Sequence, residues 1–153
     1  MTNPHQRLQQ LGIVLPKPAA PIANYVPFTR TGNLLIVSGQ IAFGNDGLLT
    51  GILGKDMNIE AGKIAARACA INLLAQVAVA LDNDLGRVTQ VLRLGGFIQT
   101  DPAFTDIPNV MNGASDLMVD VFGDIGRHAR FAVGCSSLPL GSAVEVDGMF
   151  EIA

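Results

Sequence analysis

Apolar residues fall along the 153-residue chain in blocks whose period changes, and the changes mark the elements. Residues 3 to 11 suit a short helix, which Pro16-Lys17-Pro18-Ala19-Ala20-Pro21 cannot continue because proline lacks the amide donor. This stretch, about 1–21, reads as an N-terminal arm. Tyr25 to Arg30 and Leu34 to Ile41 suit two strands of a hairpin closed at Thr31-Gly32-Asn33, and Gly47 to Leu53 a short strand or loop. Asn58 then offers an N-cap with Glu60 in the first turn, and Ile64, Ala68, Ile71, Leu74, Ala78 and Leu81 recur at steps of three and four. That is a long helix, stopped by Asp82-Asn83-Asp84-Leu85-Gly86. Val88 to Thr100 alternates around Gly95-Gly96, the pattern of a strand with a bulge or a close backbone approach. A second helix starts near Pro108 and carries Ile107, Val110, Met111, Ala114, Leu117, Met118, Val121 and Phe122 on one face, closing at Gly123 and Gly126. Two last strands, His128 to Ser136 and Ala143 to Ile152, flank Leu138-Pro139-Leu140-Gly141.

The order ββ(β)αβαββ, with one apolar face per helix, predicts an α+β two-layer sandwich: a mostly antiparallel sheet with two helices on one face. Parity in the last strand sharpens this. Val144, Val146, Phe150 and Ile152 can face the helices, which leaves Glu145, Asp147 and Glu151 on the far side of the sheet. Without an internal repeat or linker, residues 1–153 read as a single domain.

Composition changes the picture in one respect. Apolar residues make up 49% of the chain and charged residues 15%, with a mean hydropathy of +0.38, whereas about 25% charged is usual. No uninterrupted apolar run approaches the roughly 20 residues of a membrane span, so a chain this poor in charge is expected to hide surface in an oligomer. A net charge of −3, no tryptophan and one tyrosine give little for nucleic acid to bind. Cys69 and Cys135 lie in apolar stretches and read as reduced core thiols. With no apolar leader visible after Met1, a cytoplasmic location is expected.

Groups able to do chemistry are few. His5 in the arm and His128 at a strand start lack metal-ligand spacing, Asp82 to Gly86 lacks the calcium-loop pattern, and no phosphate-binding glycine motif occurs. No metal or cofactor is expected. What stands out is Gly126-Arg127-His128-Ala129-Arg130, opening a strand whose neighbour is expected to carry Glu145. Arg130 can hold a carboxylate through a two-pronged fork while Glu145 serves as a general base, or the two can form a cross-strand ion pair.

Ser38-Gly39-Gln40-Ile41 after an apolar strand, then Ala129-Arg130, Ser137-Leu138-Pro139 and Val144-Glu145-Val146, in this order and spacing, resemble the signature of the RidA (YjgF) family from about residue 24 to 152. The resemblance implies a chorismate-mutase-like fold, a homotrimer with ligand clefts between subunits, and hydrolysis of enamine or imine acids such as 2-aminoacrylate to 2-keto acids and ammonia. It implies that Arg130 binds the substrate carboxylate and Glu145 orients water, with Tyr25, Ser38, Gly39 and Asn112 (or the nearby Asn109) lining the cleft and no cofactor. His128 and Ala132 stand where many deaminases of the family carry proline and cysteine, and Gly113-Ala114-Ser115-Asp116-Leu117 resembles a divergent subgroup. Two further roles attach to such a protein: a non-catalytic, carboxylate-binding regulator, and an endoribonuclease or translation inhibitor.

Overall fold

The computed structural model describes residues 3–18, 21 and 23–153, so Ala19 and Ala20 of the proline-rich stretch lie outside the described residues. Helix α1 (Pro4–Gln10) opens on Asn3, whose side chain accepts from the His5 amide. The arm is less loose than its composition suggests. Leu8 is buried, His5 Nε2 accepts from the Leu85 amide at 3.2 Å, and Arg7 donates to the Asp120 carbonyl.

Strand β1 is Phe28–Thr31, shorter at its start than the expected strand from Tyr25, because Pro27 has no amide to pair. It turns through Gly32, at φ 54°, into β2 (Leu34–Ile41). The ambiguous segment after it is a small hairpin of β3 (Phe43–Gly44) and β4 (Gly47–Leu48). Helix α2 (Ile59–Ala80) is capped by Asn58, which accepts from the Ala61 amide at 2.9 Å. Asp82 and Asn83 then adopt left-handed φ values of 53° and 64° and end it.

Of the expected stripe on α2, Ala68, Leu74, Ala78 and Leu81 are buried and Ile71 is half-buried, but Ile64 is not inside. Ile64 is 61% exposed, whereas Ala65, Ala66, Cys69, Ala70, Leu73, Leu74 and Val77 are fully buried. The helix packs on the sheet, at β2 and β7, and side by side with the second long helix, which packs on β5 and β6, so its buried surface is much wider than one stripe. The same breadth makes α2 long and apolar enough to cross a membrane by length and composition. In this fold it is instead the central core helix.

Strand β5 (Val88–Gln99) leads through α3 (Ile107–Phe122) to β6 (Ala129–Cys135), and β7 (Val144–Ile152) ends the chain. The five-stranded sheet has the order β1-β2-β7-β5-β6. All its pairs are antiparallel except β5 with β6, which α3 joins as a parallel crossover. The mostly antiparallel two-layer arrangement is thus as expected, but β6 is an edge strand separated from β7 by β5. Helix α3 buries the expected residues from Val110 to Phe122. The bulges in β5 fall before Gln90 and Arg93, not at Gly95-Gly96. The two glycines serve close approach instead, since a Cβ on Gly95 would collide with Asp147 and Phe131 and one on Gly96 with Met111.

Replacing Asn58 by Ala removes the α2 cap and should cost about 1 kcal/mol. The urea midpoint should fall at unchanged slope, with Asn58→Asp close to wild type.

Candidate functional site

Two clusters of polar groups form on opposite faces of the sheet. The first is built on β6 and α3. Arg130 pairs in register with Leu94, a core residue, so its side chain leaves the sheet on the helix side and runs along α3. There Nη1 donates to Asn112 Oδ1 at 2.9 Å and to Ser115 Oγ at 3.0 Å, and Nη2 donates to the Pro108 carbonyl at 3.3 Å. Of five guanidinium N–H groups, three are thereby used. Among the described residues the Nε–H and one Nη2–H have no partner, and the residue is exposed. Asn112 rather than Asn109 reaches the arginine, since Asn109 caps back onto Asp106 at 3.4 Å.

Ser115 and His128 complete this cluster. Ser115 Oγ lies 2.9 Å from His128 Nε2, and His128 Nδ1 lies 2.6 Å from the Gly126 carbonyl. Burial, and then the nearby Arg130 charge, hold the histidine below its usual pKa against the opposing pull of the Gly126 carbonyl. Ala132 follows on the same side of β6, half-buried.

The second cluster is on the open face. Glu145 alternates with the buried Val144 and Val146, so it points away from the helices, and it pairs with Phe97 of β5 and Ile41 of β2. Its carboxylate stands directly over Gly39, where a Cβ would lie 2.5 Å from Oε1. Only glycine leaves that space. The register of β2 against β7 slips by one residue between Val37 and Gln40, so Ser38-Gly39 is a β-bulge that lets the carboxylate in. Burial pushes the Glu145 carboxyl above the ordinary 4.5, and the like charge of Asp147 adds to the rise. Asp147 is itself paired with Arg93 at 3.0 Å, and Arg93 lies over Phe131, which meets Phe97 edge to face. Phe97 and Val133 remain exposed on this face.

Ser38 is not placed as a nucleophile. Its hydroxyl donates to the Val26 carbonyl at 2.8 Å and its amide to the Pro27 carbonyl, which holds the segment bearing Tyr25 against the bulge. Tyr25 is 55% exposed, and with Gly39, Gln40, Lys17 and Asn72 it lines a cavity of about 500 Å³.

The six residues singled out in the sequence therefore form two groups: Arg130 with Asn112, and Glu145 with Gly39, Ser38 and Tyr25. Within one chain the two groups do not meet. The expected neighbouring of the Arg130 and Glu145 strands is corrected by β5 between them, and among the described residues no ion pair joins the two side chains. Cys69 is a core thiol as expected, but Cys135 is only partly buried, at the end of the edge strand. Ser115, the Pro108 carbonyl and Asp147 were missed as site partners. The three-residue step from Asn112 to Ser115, which puts both on one helix face, is the signal for Ser115, and the alternation of the last strand, which puts Asp147 beside Glu145, is the signal for Asp147.

The profile of the family described as "YjgF/chorismate mutase-like, putative endoribonuclease" matches residues 5–152. The chain belongs to this family. Within it, the chain is 49% identical over 148 residues to protein TCP17 of Trypanosoma cruzi, covering 95% of this chain and 91% of that protein. A protein of unknown function from Agrobacterium tumefaciens has a crystal structure 45% identical, with a TM-score of 0.92 over 98% of this chain and 92% of its own. A "putative endoribonuclease" from Shewanella oneidensis, 34% identical, superposes with a TM-score of 0.94 over 99% of this chain and all of its own. The YjgF-family fold extends to RidA from an Antarctic Psychrobacter species, but there the TM-score is 0.58 at 24% identity, with 89% and 94% of the two chains covered. The chain is a divergent member beside RidA.

Asp147→Asn removes the like charge beside Glu145 and leaves Arg93 uncompensated, so both changes favour the ionised carboxylate. Carboxyl NMR titration should show the Glu145 pKa falling; no change, or a rise, would contradict the assignment of its cause.

Proposed function

We propose that this protein hydrolyses small enamine or imine acids of the 2-aminoacrylate type to 2-keto acids and ammonia, at a cleft formed between copies of a cytoplasmic homotrimer. The observation that carries this reading is the tethered and exposed Arg130 guanidinium, whose Nε–H and one Nη2–H have no partner among the described residues. A planar carboxylate matches the remaining Nε–H and Nη2–H as a bidentate acceptor. The opposite placement of Glu145 supports an assembled site. With Arg130 at the helix side of an edge strand and Glu145 on the open face, a cleft containing both needs residues from two chains. Exposed Phe97 and Val133 on that open face, in a chain only 15% charged, support its burial between copies.

Under this reading Arg130 fixes the carboxylate of the imine tautomer so that C2 faces a water held by Glu145. The water oxygen bonds to C2 while its proton passes to Glu145, which hands it on to the former imine nitrogen. In the resulting carbinolamine Glu145 takes the hydroxyl proton and returns it to the amine, so that the C–N bond breaks, ammonia leaves and the keto group remains. Burial, with the like charge of Asp147, raises the Glu145 carboxyl from its ordinary value, which makes it a better acceptor for that proton. Water is the only co-substrate. The gain required is modest because imines hydrolyse unaided, so positioning carries most of the work.

A carboxylate-binding regulator would use the same arginine and differ only in turnover. The endoribonuclease description finds little in a chain of net charge −3 with one tyrosine to attract or stack a polynucleotide.

With 2-aminoacrylate generated by a PLP-dependent serine dehydratase, wild type should speed its decay and Arg130→Ala should return the rate to that of buffer. Equal decay in all three, with a 2-keto acid still raising the melting temperature of wild type, would replace the deaminase by the regulator.

A further inference from the structure

Resting on the reading of Arg130 as the carboxylate anchor, we infer that His128 and Ser115 are positioning residues that hold the guanidinium in its binding orientation through a directed hydrogen-bond relay. The direction follows from the end of the chain of contacts. The Gly126 carbonyl can only accept, so the ring proton of His128 sits on Nδ1, 2.6 Å away. A neutral imidazole then presents a bare Nε2 to Ser115 at 2.9 Å, and the single hydroxyl proton of Ser115 is committed to it. The lone pairs of Ser115 Oγ are left to accept from Arg130 Nη1 at 3.0 Å. Gly126 is itself fixed, because its Cα packs against the Met118 backbone of α3 too closely for any Cβ. Arg130 is thereby tied, through two side chains, to a rigid backbone carbonyl. The lowered pKa of His128 agrees with the neutral form.

Without the histidine acceptor, the serine hydroxyl proton is no longer directed away from the guanidinium, and the Ser115 tether to Nη1 weakens. The Nε–H and the second Nη2–H would then no longer be held in one direction. Placement of the substrate carboxylate, rather than the chemistry at C2, is what the relay serves.

Two near-isosteric replacements separate its halves. Gln places an amide oxygen near the position of Nε2 and can accept from Ser115, whereas Asn places its amide near Nδ1 and keeps only the Gly126 link. Arg130 Nε–H relaxation by 15N NMR should show an ordered side chain in wild type and His128→Gln, and a mobile one in His128→Asn and Ser115→Ala, at similar melting temperatures. Affinity for a 2-keto acid, and KM for the imine, should weaken by about tenfold in the latter two with kcat little changed. The double variant His128→Asn/Ser115→Ala should be no worse than either single one. An Arg130 side chain equally ordered in His128→Asn and wild type would overturn the relay. If ordering changes as expected while wild type binds no carboxylate, the relay stands and the reading of Arg130 as an anchor falls.

Discussion

The parallel pairing of β5 with β6 decides where the cation of this protein goes. Because α3 crosses over between them, β6 lies on the sheet edge with its Arg130 row turned towards α3. Residues Pro108, Asn112 and Ser115 of that helix are then within reach of the guanidinium. The same topology inserts β7 between β2 and β5, and alternation turns Glu145 to the other face. Strand order thus puts β5 between the two charged residues, and register and alternation put them on opposite faces. Neither residue alone accounts for the site.

A second constraint acts on the carboxylate. The bulge at Ser38-Gly39 makes room beside β7, and the missing Cβ of Gly39 lets Glu145 lie flat against the backbone. Ser38 donates its hydroxyl to the Val26 carbonyl and so fastens the segment before β1 that carries Tyr25. Three residues that resemble a catalytic signature therefore have distinct physical tasks. One opens space, one fastens a neighbouring segment, and the carboxylate alone keeps a titratable group at the surface.

Much of this was legible from the chain itself, for reasons that differ by element. In β7 the strict alternation of Val144, Val146, Phe150 and Ile152 with Glu145, Asp147 and Glu151 reports a strand with two unlike faces, and the structure agrees. Helix α3 is legible because only one side of it is buried. Helix α2 misled, since a helix packed by both a sheet and another helix has no single stripe, and Ile64 sits exposed where periodicity placed it inside. Strand order was not legible, because alternation says nothing of which strand lies beside which; the expected Arg130–Glu145 neighbouring failed for that reason. Ser115 and His128 escaped notice as partners because their contact depends on how β6 docks on α3.

The central claim is that Arg130 and Glu145 act in one cleft only when two copies of the chain supply them. Co-assembly of two inactive variants tests it directly: Arg130→Ala and Glu145→Gln are unfolded together, refolded as a mixture, and assayed for imine hydrolysis. Random assembly of a shared cleft restores wild-type pairs at about a quarter of the sites, so activity should reappear in the mixture and in neither parent. A mixture as inactive as its parents, with mixed oligomers shown by mass spectrometry, would contradict the account.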